Sequence, residues 1–102
     1  YNNVSIRYGD FYELDKSEDK YDMIHIDIAN NGDVYEFSIN NYLPKLNKNG
    51  LLLLEGGSEK RDNVEWMIKY KKPKIQPVLE KYRDRMNIKT IGEIPSLTLI
   101  TN

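Results

Sequence analysis

Along residues 21–58 the spacing of apolar side chains changes twice, and each change marks an element. Residues 21–28 (YDMIHIDI) mix alternating and contiguous apolar positions, a strand signature, with the carboxylate Asp27 near the end. A turn-prone cluster follows, Asn30, Asn31, Gly32 and Asp33. Tyr35, Ile39, Tyr42, Leu43 and Leu46 then recur at spacings that share one helical face. Pro44 should end or bend that helix, because proline removes a backbone donor and crowds the preceding turn. The turn Asn47-Lys48-Asn49-Gly50 stops it, and residues 51–54 are a bare aliphatic run closed by Glu55. An aliphatic run without polar alternation predicts a strand buried on both faces, as in a parallel sheet covered by helices. Strand, helix and strand make a right-handed βαβ unit. Asp27 and Glu55 then stand at the carboxyl ends of neighbouring parallel strands, where open α/β sheets bind ligands.

On either side the pattern is shorter. Residues 3–8 (NVSIRY) alternate Val4, Ile6 and Tyr8 with polar side chains, predicting a half-buried strand ahead of Gly9-Asp10-Phe11. A charged loop covers residues 13–20. After Glu55, Gly56-Gly57-Ser58 forms a turn, and Ser58 or Asp62 caps a helix over 62–71 with Val64, Trp66, Met67 and Ile68 on its buried side. Lys69, Lys71 and Lys72 suit the negative end of that helix. A further helix is predicted over 73–86, with Ile75, Val78, Leu79, Tyr82 and Met86 as an amphipathic stripe and Pro73 or Pro77 in its first turn. Residues 88–94 and 96–100 read as two strands joined at Pro95, a hairpin in which one strand runs antiparallel. The order β, βαβ, αα, ββ is an α/β pattern with an antiparallel finish.

Composition narrows the function classes. The chain has 102 residues, the length of one small domain, with 15 basic and 16 acidic side chains. That balance gives no overall pull toward nucleic acid or an anionic membrane. Cysteine is absent, which removes disulfides, thiolate metal sites and a cysteine nucleophile. No apolar run reaches the roughly 18–20 residues of a membrane-spanning helix, and no signal-peptide pattern opens the sequence. A cytoplasmic location is the default expectation. The sequence starts at Tyr1 in what reads as the approach to a strand, so an N-terminal part is expected to be missing.

In order and spacing these segments resemble the C-terminal two-thirds of a class I S-adenosylmethionine-dependent methyltransferase. VSIRYGDF is similar to that family's third strand and acidic turn, and YDMIHID to its fourth strand. LPKLNKNGLLLLE is similar to the helix end, turn and fifth strand, and IGEIPSLTLI to the sixth and seventh. The nearest flavour is that of small-molecule and sugar O-methyltransferases, with Tyr35-Glu36 after the Ile-Asp pair. The resemblance implies a Rossmann-like sheet, mostly parallel, with a C-terminal antiparallel hairpin. It also implies S-adenosylmethionine as cofactor and a small molecule or glycan as methyl acceptor.

The sequence departs from the family in three places. The first strand with its glycine-rich loop and the second strand with its ribose-binding acid are not found in these residues. The second glycine of the turn before the fifth strand is Asn49, a mild change because Asn tolerates a left-handed backbone. Of the acid pair that metal-dependent members carry after the fifth strand, Glu55 alone is present. Without the first strand, residues 3–8 lack a neighbour, and the sheet edge invites pairing with another copy. A fragment, a proteolytic remnant or an oligomer is expected.

The resemblance implies that Asp10 accepts a hydrogen bond from the adenine amine with Phe11 near the ring, and that Asp27 and Ile28 contact the cofactor. The plainer account of Asp10 is a Gly-Asp turn. For Asp27 the alternatives are substrate positioning, metal ligation or the organisation of the loop that follows. Glu55 is a candidate general base for an acceptor hydroxyl. With Asp27 it could hold Mg²⁺ through oxygen ligands, although an ion pair with a lysine fits two acids better. His25, the sole histidine, reads as a hydrogen-bonded core residue in mid-strand. Ser58 has no base to activate it, and the lysines of 69–74 read as a solvated helix end. The rival reading is a non-catalytic α/β module, or a degenerate methyltransferase subunit, that associates through sheet edges. A Rossmann enzyme acting on NAD or a nucleotide sugar is a third, against which the hairpin finish argues.

Overall fold

The computed structural model describes every residue except Tyr1, Asn2, Ser5, Arg7, Asp15, Ser17 and Asn102, and Leu14 by its backbone alone. A one-turn helix α1 (Phe11–Leu14) precedes strand β1 (Tyr21–Ile26) and helix α2 (Gly32–Asn41). A 3₁₀ turn at Leu43–Lys45 leads into β2 (Leu46–Glu55). Another at Arg61–Asn63 leads into the short helix α3 (Glu65–Lys69). Helix α4 (Gln76–Tyr82) and the strands β3 (Asn87–Gly92) and β4 (Ser96–Thr101) complete the chain.

The four strands form one open sheet in the order β1-β2-β4-β3. Only β1 and β2 are parallel; β4 runs antiparallel to both of its neighbours. The α/β expectation therefore holds, and the mostly parallel one gives way to a mixed sheet. β4 lies between β2 and β3 and pairs antiparallel with both, and among the described residues no strand adds to the parallel side beyond β1. The expected strand at 3–8 is also corrected. Asn3, Val4, Ile6 and Tyr8 lie in turn or irregular backbone with exposed side chains, and Ser5 and Arg7 lie outside the described residues. Val4, Ile6 and Tyr8 face solvent, and β1 stands at the edge of the sheet.

Helices cover one face. Ile26 of β1, Leu52 and Leu54 of β2 and Ile100 of β4 pack with Val34, Tyr35 and Ile39 of α2, with Ile75 just ahead of α4, and with Leu79 and Tyr82 of α4. Burying each such aliphatic side chain contributes roughly 1.5–3 kcal/mol. On the opposite face Met23 (58% exposed), Ile91 (51%) and Leu97 (38%) stay open, and Leu51, Leu53 and Leu99 are half-buried. The run 51–54 is thus buried on one side rather than two.

The helices are shorter than their apolar stripes suggested, each for a local reason. Asn31 caps α2 by accepting from the amides of Asp33 (2.8 Å) and Val34 (3.3 Å). Pro44 converts the end of that segment into the 3₁₀ turn. Asn49 takes φ 65°, the left-handed conformation expected of it, where the β1–β2 register shifts. The helix expected over 62–71 divides into the 3₁₀ turn and α3, and the one expected over 73–86 shortens to α4 with Pro77 in its first turn.

Candidate active site

Asp27 follows the last residue of β1 and Glu55 is the last residue of β2, so the parallel pair brings both acids to one end of the sheet. Asn30 builds that end. Its side chain is fully buried; the amide donates to the carbonyls of Ile26 (3.0 Å) and Glu55 (2.9 Å), and Oδ1 accepts from the Ile28 amide (3.1 Å). One side chain thereby ties the ends of β1 and β2 together and sets the path of the loop carrying Asp27 and Ile28. Tyr35, buried on α2, donates a second hydrogen bond to the Glu55 carbonyl (2.9 Å). Burial pushes its phenol well above the ordinary value, with the Glu55 charge acting the same way.

The two acids differ in their surroundings. Glu55 is held in a two-pronged ion pair by Arg61, Nε to Oε2 at 2.8 Å and Nη2 to Oε1 at 3.0 Å. The side chains are only 25% and 12% exposed, so the pair is screened from water far more than a surface contact. The carboxylate raises the Arg61 guanidinium above its usual value, and Nη2 also donates to the Asn30 carbonyl (3.0 Å). The expected lysine partner of Glu55 is therefore an arginine six residues along the chain. Asp27, in contrast, is exposed and makes no hydrogen bond or ion pair with the described residues.

Asp27 and Glu55 line an open groove of about 410 Å³ together with His25, Ile91, Gly92, Pro95, Ser96 and Leu97. That volume suits a small molecule. The floor is apolar and comes from the β3–β4 hairpin, while the polar groups come from the parallel pair. His25 is an exposed groove residue rather than the expected core histidine, because its strand position faces the uncovered side of the sheet. A larger hollow of about 540 Å³ lies between Ser58, Glu59, Lys60, Asn63, Glu93 and Ile94. Its Lys60 and Glu93 are closed on each other at 2.9 Å, and it lies off the carboxyl ends of the parallel pair, so the smaller groove, which holds Asp27 and Glu55 together, is the better chemical candidate.

Asp10 and Phe11 lie elsewhere. Asp10 accepts from the Tyr12 amide (2.9 Å) at the start of α1. The Phe11 ring stacks on Tyr42 at 5.0 Å and contacts Phe37 at 5.3 Å, along the C-terminal half of α2 and away from the strand ends. Ser58 Oγ accepts from the Arg61 amide (3.1 Å) ahead of the 3₁₀ turn, whose cap position is Lys60. Among the described residues no group of three or more His, Asp or Glu side chains converges as a metal site, and no helix is long and apolar enough to cross a membrane.

Three residues of this region escaped sequence reasoning. Asn30 reads as a turn former, and Asp62 as a cap for its own helix. Arg61 had one available signal, as the only arginine between Arg7 and Arg83 in a stretch whose other basic residues are lysines. Comparison with protein-family models, curated proteins and solved structures finds no match.

Proposed function

We propose that the groove at the ends of β1 and β2 is the acceptor side of an S-adenosylmethionine-dependent methyltransferase site. The acceptor would be a small molecule or glycan methylated on oxygen. The observation that carries this reading is the pairing of a free acid with a neutralised one at the carboxyl ends of a parallel strand pair. The antiparallel last strand, the finish that the family resemblance implies, also supports it. The residues fit the cofactor in part. Asp27, unpaired and at the rim, suits the cationic end of the molecule, with Ile28 beside it. Asp10 and Phe11, the adenine contacts the resemblance implies, are not gathered in this groove.

S-adenosylmethionine would supply the methyl group as a sulfonium. Asp27 would contribute an unpaired negative charge to hold that cation, or accept the proton of an acceptor hydroxyl. Glu55, tied to Arg61, acts as an anchor for the site rather than as its base. Ile91, Pro95 and Leu97 would exclude water from one side of the acceptor, and rate would come mainly from positioning. Transfer of a labelled methyl group from S-adenosylmethionine to a panel of sugars and phenols tests the reading, run on the longest natural chain that carries these residues. Asp27→Asn should lower kcat/KM by at least about tenfold. No transfer to any acceptor would end it.

One observation favours a different class. β1 is an edge strand, with Tyr21, Met23 and His25 exposed, so a non-catalytic module could add a second copy along that edge. Sedimentation of a concentration series decides it: a dimer broken by Met23→Lys, with no methyl transfer, is the outcome of that alternative.

A further inference from the structure

Between Trp66 and Lys74 the sequence WMIKYKKPK holds four lysines and no acid, in a chain whose net charge is −1. Lys69, Lys71 and Lys72 make no ion pair with any described residue, and Lys74 reaches only the Asn63 side chain, at 3.5 Å. This turn is not a loose helix end. The Lys72 amide donates to the Met67 carbonyl (2.9 Å) and the Lys71 amide to Ile68 (3.2 Å), the two bonds of a Schellman close. The Gly32 amide donates to the Pro73 carbonyl (2.7 Å), and Asp62 accepts from the amides of Ile75 and Gln76, both at 2.8 Å. The backbone of the turn is thus held against the start of α2 at Gly32.

Two features say that charge is wanted at this place. Lys71 occupies the left-handed position of the Schellman close at φ 51°, where glycine would carry no steric penalty. Trp66 gathers two cations over its ring, Arg61 and Lys72, each 5.6 Å from the centroid. Through Arg61 that ring joins the lysine turn to Glu55 and the groove.

We infer that the turn from Trp66 to Lys74 is an anion subsite that takes a phosphate or pyrophosphate carried by the acceptor molecule. Lysine ammonium groups bind phosphate as point charges. Lys69 lies over Tyr70, Lys72 over Trp66 and Lys74 beside Asn63, and four such charges within nine residues suit one or two phosphates rather than a nucleic-acid strand, for which the near-neutral chain supplies no field. The assignment of the anion to a methyl acceptor rests on the proposed function; the binding itself does not.

Trp66 is the sole tryptophan, so its fluorescence reports on the turn directly. The 102-residue chain is titrated with inorganic pyrophosphate at constant ionic strength, with calorimetry as a readout independent of Trp66. The expected result is saturable binding that Lys69→Ala/Lys72→Ala weakens by at least about tenfold. Lys71→Gly separates function from structure, because it should weaken binding while raising the urea midpoint. No saturation, or equal binding by the double variant, overturns the subsite. Tighter binding of a single-stranded oligonucleotide than of pyrophosphate, compared per phosphate, overturns it in favour of nucleic acid. Pyrophosphate binding in a chain that transfers no methyl group leaves the anion subsite and overturns its link to a methyl acceptor.

Discussion

At the scale of single residues, stability and site geometry rest on the same polar groups. Removing the Asn30 side chain leaves the buried Ile26 carbonyl and the part-buried Ile28 amide and Glu55 carbonyl without that partner. Asn30→Ala should lower unfolding free energy by roughly 2–3 kcal/mol in urea titrations. Arg61→Leu strands a carboxylate that is only 25% exposed, at an expected loss of about 1–3 kcal/mol. Adding Glu55→Gln to that variant should restore part of the loss. Tyr35 gives a pH signature. In the unfolded chain its phenol ionises near the ordinary 10.0, and in the folded chain burial holds the proton well beyond that. The folded state then binds more protons, so Tyr35's contribution is complete below about pH 10 and declines as pH rises above it. Tyr35→Phe should cost about 1 kcal/mol at neutral pH through the lost bond to Glu55, yet flatten the alkaline decline in urea midpoints.

At the scale of elements, the structure ties neighbours together through loops rather than through long helices. Gly57 has φ 107°, and a Cβ there would stand 1.8 Å from Thr98 Oγ1 on β4. Gly57→Ala should destabilise by more than about 3 kcal/mol. Thr98→Ala in the same chain should recover only part, since the backbone strain remains. Asp62 caps α4 from a distance of thirteen and fourteen residues. Asp62→Ala should cost about 1–2 kcal/mol and speed hydrogen exchange at Ile75 and Gln76.

Much of this level is legible in sequence. The period change around Asn31, the proline stop at Pro44, the left-handed Asn49 and the hairpin at Pro95 are all local chemistry, and the structure has each of them. Asn30 and Asp62 were not legible in their roles, because each acts on backbone brought near by the fold: Asn30 on the end of β2, Asp62 on the start of α4. Asp27 and Glu55 were legible as a pair, since parallel strands of known polarity must end together. That Arg61 would neutralise one and leave the other free was not, as six residues of loop do not determine where a guanidinium points.

At the scale of the whole molecule, the four-stranded sheet is covered by α2 and α4 on one face and open on the other. The aliphatic run 51–54 suggested two covered faces because Leu51 and Leu53 carry the same side chain as Leu52 and Leu54. Composition alone does not tell a half-buried leucine from a buried one. The open face carries His25 and leads to the groove with Asp27, so the free acid is reachable from solvent. Because Asp27 has no partner among the described residues, Asp27→Asn should leave the fold untouched, which makes it a clean probe of ligand binding.

The most direct measurement is a thermal-shift titration with S-adenosylmethionine, whose sulfonium carries the charge assigned to Asp27, run on this chain and on the longest natural chain that carries it, each with and without Asp27→Asn. A ligand that binds only the folded state raises Tm with concentration. The predicted result is a saturable rise in the longest chain, with the ligand concentration required increasing at least about tenfold in the Asp27→Asn variant. No rise in either chain at about millimolar ligand, or a rise that the substitution leaves unchanged, would contradict the assignment of the groove to methyl transfer.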